Sequence, residues 1–146
     1  MQLGKPGRRV VFRDGHAGCD PHRDGVIAGV ELHSGEVVFT SGGYERGFEW
    51  DGVRYHHLLD PRTGQPARAT ASFTVIHGDP VVADAAVTAL FVAGDDWPRI
   101  AAQLGIALAL RIRPDGAAEA TPAMAARLEL RAGIALTERT VAAAPR

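Results

Sequence analysis

Apolar and polar positions change period several times along the chain, and each change marks an element. Val26 to Leu32 and Glu36 to Thr40 are short β-type runs around the turn signal His33-Ser34-Gly35. Tyr44 to Trp50 and Val53 to Leu59 flank Asp51-Gly52, a dipeptide suited to a type I′ hairpin because both central residues need positive φ. Asp60-Pro61-Arg62-Thr63-Gly64 closes that hairpin, since Pro61 presets φ and lacks a ladder N–H while Gly64 tolerates positive φ. A strand follows over Ala71 to His77. The run Pro80 to Ala93 predicts a helix with Asp79 as N-cap, Pro80 at the first helical position and Gly94 past its end. Trp97 to Leu104, with Pro98 near its start and Gly105 past its end, predicts a second helix. A strand over Ile106 to Ile112, the turn Pro114-Asp115-Gly116 and a short helix within Pro122 to Leu130 complete the pattern. Hairpins first and helices later predict an α+β fold, antiparallel hairpins packed with two or three helices, and not a doubly wound sheet.

Composition narrows the class. With 146 residues, 46% apolar positions, 16 basic against 17 acidic residues and one cysteine, the chain is sized for one globular core. A fibre and a disordered tail are excluded, and balanced charge disfavours a nucleic-acid partner. No stretch approaches the roughly 20 apolar residues of a membrane span. Residues 1–24, rich in Gly, Arg and Asp, read as an irregular lead-in, with order beginning near Gly25. Residues 25–116 form the body, and the Ala-rich residues 117–146 read as an extension with no legible chemistry. Cys19 permits no intrachain disulfide, and Ala17-Gly18-Cys19 follows no apolar run of signal-peptide type, so a cytoplasmic chain is expected.

Candidate chemistry lies in three places. Asp84 and Thr88 are the only polar side chains between Pro80 and Gly94, so the helix is expected to be buried nearly all round. Four residues apart, the two share a face. A carboxylate and a hydroxyl one turn on suit a hard cation such as Mg²⁺; equally, Asp84 can pair with an arginine or cap a backbone segment while Thr88 bonds back to the carbonyl of Asp84. In the hairpin, alternation puts Val53, Tyr55, His57 and Leu59 on one face and Arg54, His56, Leu58 and Asp60 on the other. His57, on the more apolar face, is either a general base or a packed core histidine. Thr40-Ser41-Gly42-Gly43 after a strand could turn backbone N–H groups toward an anion, or be an ordinary turn. The other histidines, 16, 22, 33 and 77, lack zinc-ligand spacing and read as surface residues.

Three runs together resemble one family: Ser41-Gly42-Gly43-Tyr44-Glu45-Arg46, then His57-Leu58-Leu59-Asp60-Pro61-Arg62-Thr63-Gly64-Gln65-Pro66, then Ala83-Asp84 through Gly94. In order and spacing they are similar to the C-terminal half of the ApbE family, the FAD:protein FMN transferases, over about residues 20 to 115. The resemblance implies a flavin transferase that splits FAD, transfers FMN through its phosphate to a Ser or Thr hydroxyl of an acceptor protein, and releases AMP. It implies Mg²⁺ on Asp84 and Thr88, His57 as the catalytic histidine, and a flavin pocket with contributions from Ser41, Leu58 and Leu59. Gly43 departs from the family pattern, where an Asp is usual. The family's N-terminal half, which supplies much of the FAD pocket, is expected to come from elsewhere, as a missing half or a second copy. Family members are often exported or lipid-anchored. The competing expectation is a non-catalytic fragment that binds flavin or a partner; a generic Mg²⁺-dependent phosphoesterase is a third.

Overall fold

The computed structural model describes residues 2–3, 8–13, 25–43 and 47–141. In chain order the strands are β1 (Gln2–Leu3), β2 (Arg8–Arg13), β3 (Val26–Leu32), β4 (Val37–Gly42), β5 (Gly47–Trp50), β6 (Val53–His56), β7 (Leu59–Asp60), β8 (Gln65–Pro66), β9 (Ser72–His77), β10 (Leu108–Ile112), β11 (Ala118–Ala120), β12 (Glu129–Leu130) and β13 (Leu136–Glu138). The helices are α1 (Pro80–Ala93), α2 (Trp97–Leu104) and α3 (Pro122–Ala125), with a turn of 3₁₀ helix, Gly94–Asp96, between the first two.

A six-stranded sheet in the order β1-β4-β9-β10-β11-β13 forms the middle layer, antiparallel except where β11 meets β13. Side chains alternate across it, so each strand feeds two cores. On one face Phe73 and Val75 of β9 and Ala109 of β10 pack with Ala83, Ala86, Val87, Leu90 and Phe91 of α1 and Trp97 and Ala101 of α2. On the other, Val38, Ile76, Leu110 and Ile112 pack with Phe12, Ile27, Ala28, Val30 and Leu32 from a smaller sheet, β12-β3-β2. Phe73 and Phe91 are fully buried, each contributing roughly 1.5–3 kcal/mol. The α+β expectation holds.

Local signals act where they stand. The Asp79 carboxylate accepts the N–H groups of Val81 and Val82 at 2.8 and 3.3 Å, capping α1 ahead of Pro80. Gly105 closes α2 in the left-handed region at φ 68°. Asp51 and Gly52 have φ of 51° and 71°, the signature of the I′ turn. β5 and β6 form a two-stranded sheet by themselves.

Four expectations are revised. β3 and β4, despite the tight turn between them, enter different sheets, because one chain must supply both layers of the second core. The lead-in contains strands, and β2 pairs along β3 from Arg8↔Leu32 to Arg13↔Val26. The Ala-rich segment is not appended: Ala118, Ala120 and Met124 are buried, and β11 pairs with β10. Its helix ends at Ala125, and Glu129–Leu130 becomes a strand against β3. Cys19, His16, His22, Tyr44, Glu45 and Arg46 lie outside the described residues. Among the described residues no helix is long and apolar enough to cross a membrane.

Candidate active site

The hairpin β5–β6 and the turn after it build an open cleft of about 570 Å³ with His57, Leu59, Phe48, Tyr55 and Gly64 among its walls. Phe48 stacks on Tyr55, ring centroids 5.4 Å apart and planes 13° from parallel. That pair follows from register: a two-residue turn at Asp51-Gly52 sets Trp50 against Val53 and therefore Phe48 against Tyr55. Tyr55, His57 and Leu59 line the cleft as strand alternation groups them, but His56, expected on the opposite face, lines it too, since β6 ends at His56 and strict alternation stops there.

Burial, however, is the reverse of the expectation. The face with Tyr55, His57 and Leu59 is the open one: His57 is exposed and Leu59 is half exposed. Leu58 lies in the core beneath, 6% exposed, and His56 is the packed histidine. Its Nε2 lies 3.0 Å from the carbonyl of Ala67, its Nδ1 receives the N–H of Leu58 at 3.3 Å, and its ring meets Phe91 edge-on. The physical reason is that fully buried Phe91 of α1 and the Ala67 carbonyl meet the His56 ring.

The turn that follows is internally braced. Asp60 accepts the backbone N–H of Arg62 at 2.9 Å and the fork of its guanidinium at 2.7–3.2 Å. The Arg62 guanidinium and backbone N–H hold the Asp60 carboxyl below the usual carboxylate range. The carbonyl of Asp60 takes the N–H groups of Thr63 and Gly64, and Gly64 sits at φ 70°.

Helix α1 is not buried all round. Its inner face packs on β4, β9 and α2, whereas Val81, Asp84, Ala85, Thr88 and Ala89 face outward and are exposed. The described residues cover only one side of the helix. Among them neither Asp84 nor Thr88 has a side-chain hydrogen bond or ion pair, so neither the arginine pair nor the back-bond considered above is formed. Two hard oxygen donors on one helix face, unengaged by protein, fit a divalent cation that completes its shell with water or phosphate oxygens. No cluster of three or more His, Cys, Asp or Glu is present among the described residues, which leaves such an ion dependent on ligands beyond this helix.

Thr40 to Gly42 form the end of β4, and Gly43 begins the turn after it. Ser41, half-buried, pairs opposite Phe73, and the N–H of Gly43 is donated to Ala71. Thr40 shares its hydroxyl with Thr74 at 2.9 Å. Gly43 instead lies against His56: a Cβ there would come within 3.0 Å of the ring. Sequence reasoning passed over Phe48, although the hairpin register contained it.

A model of the ApbE family matches residues 6–110. The chain belongs to the ApbE family. It is 49% identical over 122 residues to an FAD:protein FMN transferase of Rhodobacter capsulatus, covering 83% of this chain and 22% of that protein. The crystal structure of the ApbE protein of Thermotoga maritima matches with a TM-score of 0.71 and 40% identity, over 86% of this chain and 40% of that one. The apo flavinyl transferase ApbE of Pseudomonas stutzeri matches with a TM-score of 0.59 and 32% identity, over 83% and 36%. This ApbE chain thus spans about a fifth of the first relative and two-fifths or less of the two solved ones.

Proposed function

We propose that this chain carries the His57 cleft and the metal-facing helix of an FAD:protein FMN transferase. The reaction moves FMN from FAD to a Ser or Thr hydroxyl of an acceptor protein and releases AMP. The observation that carries the reading is the outward face of α1, where Asp84 and Thr88 stand one turn apart, exposed and unengaged among the described residues. The same helix reaches, through Phe91, the strand end that precedes His57.

In this reading Asp84 and Thr88 hold Mg²⁺, which when bound neutralises charge on the diphosphate oxygens of FAD. Exposed His57 accepts the proton of the incoming hydroxyl. The hydroxyl oxygen bonds to the phosphorus of the FMN portion, the P–O bond to the AMP phosphate breaks, and AMP leaves with that electron pair. Leu59 and the Phe48–Tyr55 stack line the apolar wall of the cleft, with Leu58 supporting it from the core; Ser41, in the central sheet on β4, would contribute to the flavin pocket from there. The open outer face of α1 calls for a further wall around FAD, from the N-terminal half of an ApbE-like protein or from a second copy.

The test is release of AMP from FAD by the chain with Mg²⁺ and an acceptor protein, followed by mass analysis of the acceptor. Added FMN mass that disappears in His57→Ala and Asp84→Ala supports the proposal. Bound flavin without AMP release or acceptor modification would assign the chain to flavin binding alone, and AMP release without acceptor modification would assign it to phosphoester hydrolysis.

A further inference from the structure

Two histidines line the cleft side by side, and His57 is the exposed one. The other, His56, meets its near neighbour Leu58 and three separate segments. Its Nε2 is 3.0 Å from the Ala67 carbonyl. A carbonyl can only accept, so Nε2 carries the proton. Its Nδ1 receives the N–H of Leu58 at 3.3 Å, which requires that nitrogen to be unprotonated. Its ring is edge-on to Phe91 of α1, centroids 5.9 Å apart at 85°. Its Cδ2 edge lies against Gly43 at the end of β4, so close that a Cβ there would reach 3.0 Å.

These contacts bracket His57 in sequence. Leu58 is locked twice, its N–H to His56 and its carbonyl to the N–H of Ala67 at 2.9 Å. The segment with Ala67 is in turn held through Thr70 and the Ala69 carbonyl by buried Arg111. His57 is therefore a one-residue arch between two anchored neighbours. The helix against which His56 packs is the one whose outer face presents Asp84 and Thr88.

The geometry points to His56 as a positioning residue: a neutral, Nε2-protonated clamp that fixes the His57 arch in register with helix α1. It touches no reacting atom. This role deepens the transferase reading and rests on it for its catalytic consequence, while the clamp is testable without turnover.

Long-range nitrogen–proton NMR of the full, nitrogen-15-labelled chain at neutral pH reads the tautomer directly. The expected result is a neutral His56 with its proton on Nε2; an Nδ1–H tautomer or an imidazolium overturns the clamp. In His56→Phe, which keeps a ring against Phe91 and loses both hydrogen bonds, the Leu58 and Ala67 amides should exchange about tenfold faster or more, as expected for local opening. Amides of β9 and β10 should be unchanged, and unchanged Leu58 and Ala67 exchange overturns the proposal. Should His56→Phe fail to fold, Gly43→Ala, which presses on the ring without removing it, must shift the His56 nitrogen signals; static signals overturn the proposal. In the AMP-release assay His56→Phe should lower kcat about tenfold or more with the KM for FAD within about twofold, since misplacing a reacting group is costly in rate. A raised KM at unchanged kcat counts against positioning. A native chain that releases no AMP would overturn catalysis by this chain alone, and the NMR result would still decide the clamp.

Discussion

Arg111 and Glu119 form an ion pair of 2.9 Å inside the helix-facing core, their side chains 1% and 6% exposed. Glu119 also accepts the indole N–H of Trp97 at 2.9 Å, and Arg111 reaches Asp95, Thr70 and the Ala69 carbonyl. Among the described residues no buried side-chain nitrogen or oxygen lacks a hydrogen-bond partner, which is what makes a buried charge pair tolerable.

Removing one partner is therefore costly. Arg111→Met should lower unfolding free energy by about 3 kcal/mol or more, because the Glu119 carboxylate loses its shortest cationic partner. Urea denaturation checks this. The double change Arg111→Met with Glu119→Leu should cost less than the sum of the two single changes, since no lone charge remains buried.

Acid stability depends in part on Glu36. Hydrogen bonding from Arg127, at 2.7 Å to each carboxylate oxygen, together with the N–H of His33, holds the Glu36 carboxyl below its ordinary value. A group whose folded pKa is depressed adds stability above its unfolded pKa and loses it as pH falls through the folded one. Stability should thus fall on acidification from the ordinary carboxylate range downward. Asp60, Asp95 and Asp96, each lowered by an arginine partner, add to the same limb. The difference between native chain and Glu36→Gln, followed by thermal melts between about pH 6 and 2.5, isolates Glu36: the variant should be less stable near neutrality and approach the native chain at the acid end.

Gly47→Ala tests the cleft wall. Its Cβ would lie 2.7 Å from the backbone carbonyl of Tyr55, and backbone cannot rotate away, so β5 and β6 must separate. Overpacking of this kind costs about 1–3 kcal/mol. Because among the described residues the hairpin pairs only with itself, the effect should stay local: amide exchange should speed along β5 and β6, with the amides of β9 and β10 unmoved.

Asp84→Ala and Thr88→Ala should separate chemistry from folding. Both side chains are exposed and unengaged among the described residues, so unfolding free energy should change by no more than about 0.5 kcal/mol. On the transferase proposal, Mg²⁺-dependent AMP release should nevertheless fall by about a hundredfold or more in Asp84→Ala, since losing an ion held there would remove several kcal/mol of transition-state stabilisation. Thr88→Ala should have the smaller effect. Calorimetric unfolding alongside the AMP assay checks both.

What the sequence determined by itself is local. The caps of α1 at Asp79, Pro80 and Gly94, the I′ turn at Asp51-Gly52 and the braced turn from Asp60 to Gly64 each depend on groups within a few residues, and the structure has them where the spacing put them. That Tyr55, His57 and Leu59 line one cleft was partly legible by counting along the strand, but His56 lines it as well because the strand ends there.

Tertiary structure alone decided which side of each element is covered. An apolar helix announces no buried face when Ala85 and Ala89 alternate with Ala83 and Ala86; contact with β4, β9 and α2 chose the latter pair. Adjacent histidines carry no label for which is packed; Phe91 and the Ala67 carbonyl, 35 and 11 residues away from His56, made that choice. Glu119 in an Ala-rich run gives no hint of Arg111 until β10 and β11 pair. Burial is a property of long-range neighbours, and it is the lack of cover on one side among the described residues that leaves His57, Asp84 and Thr88 exposed.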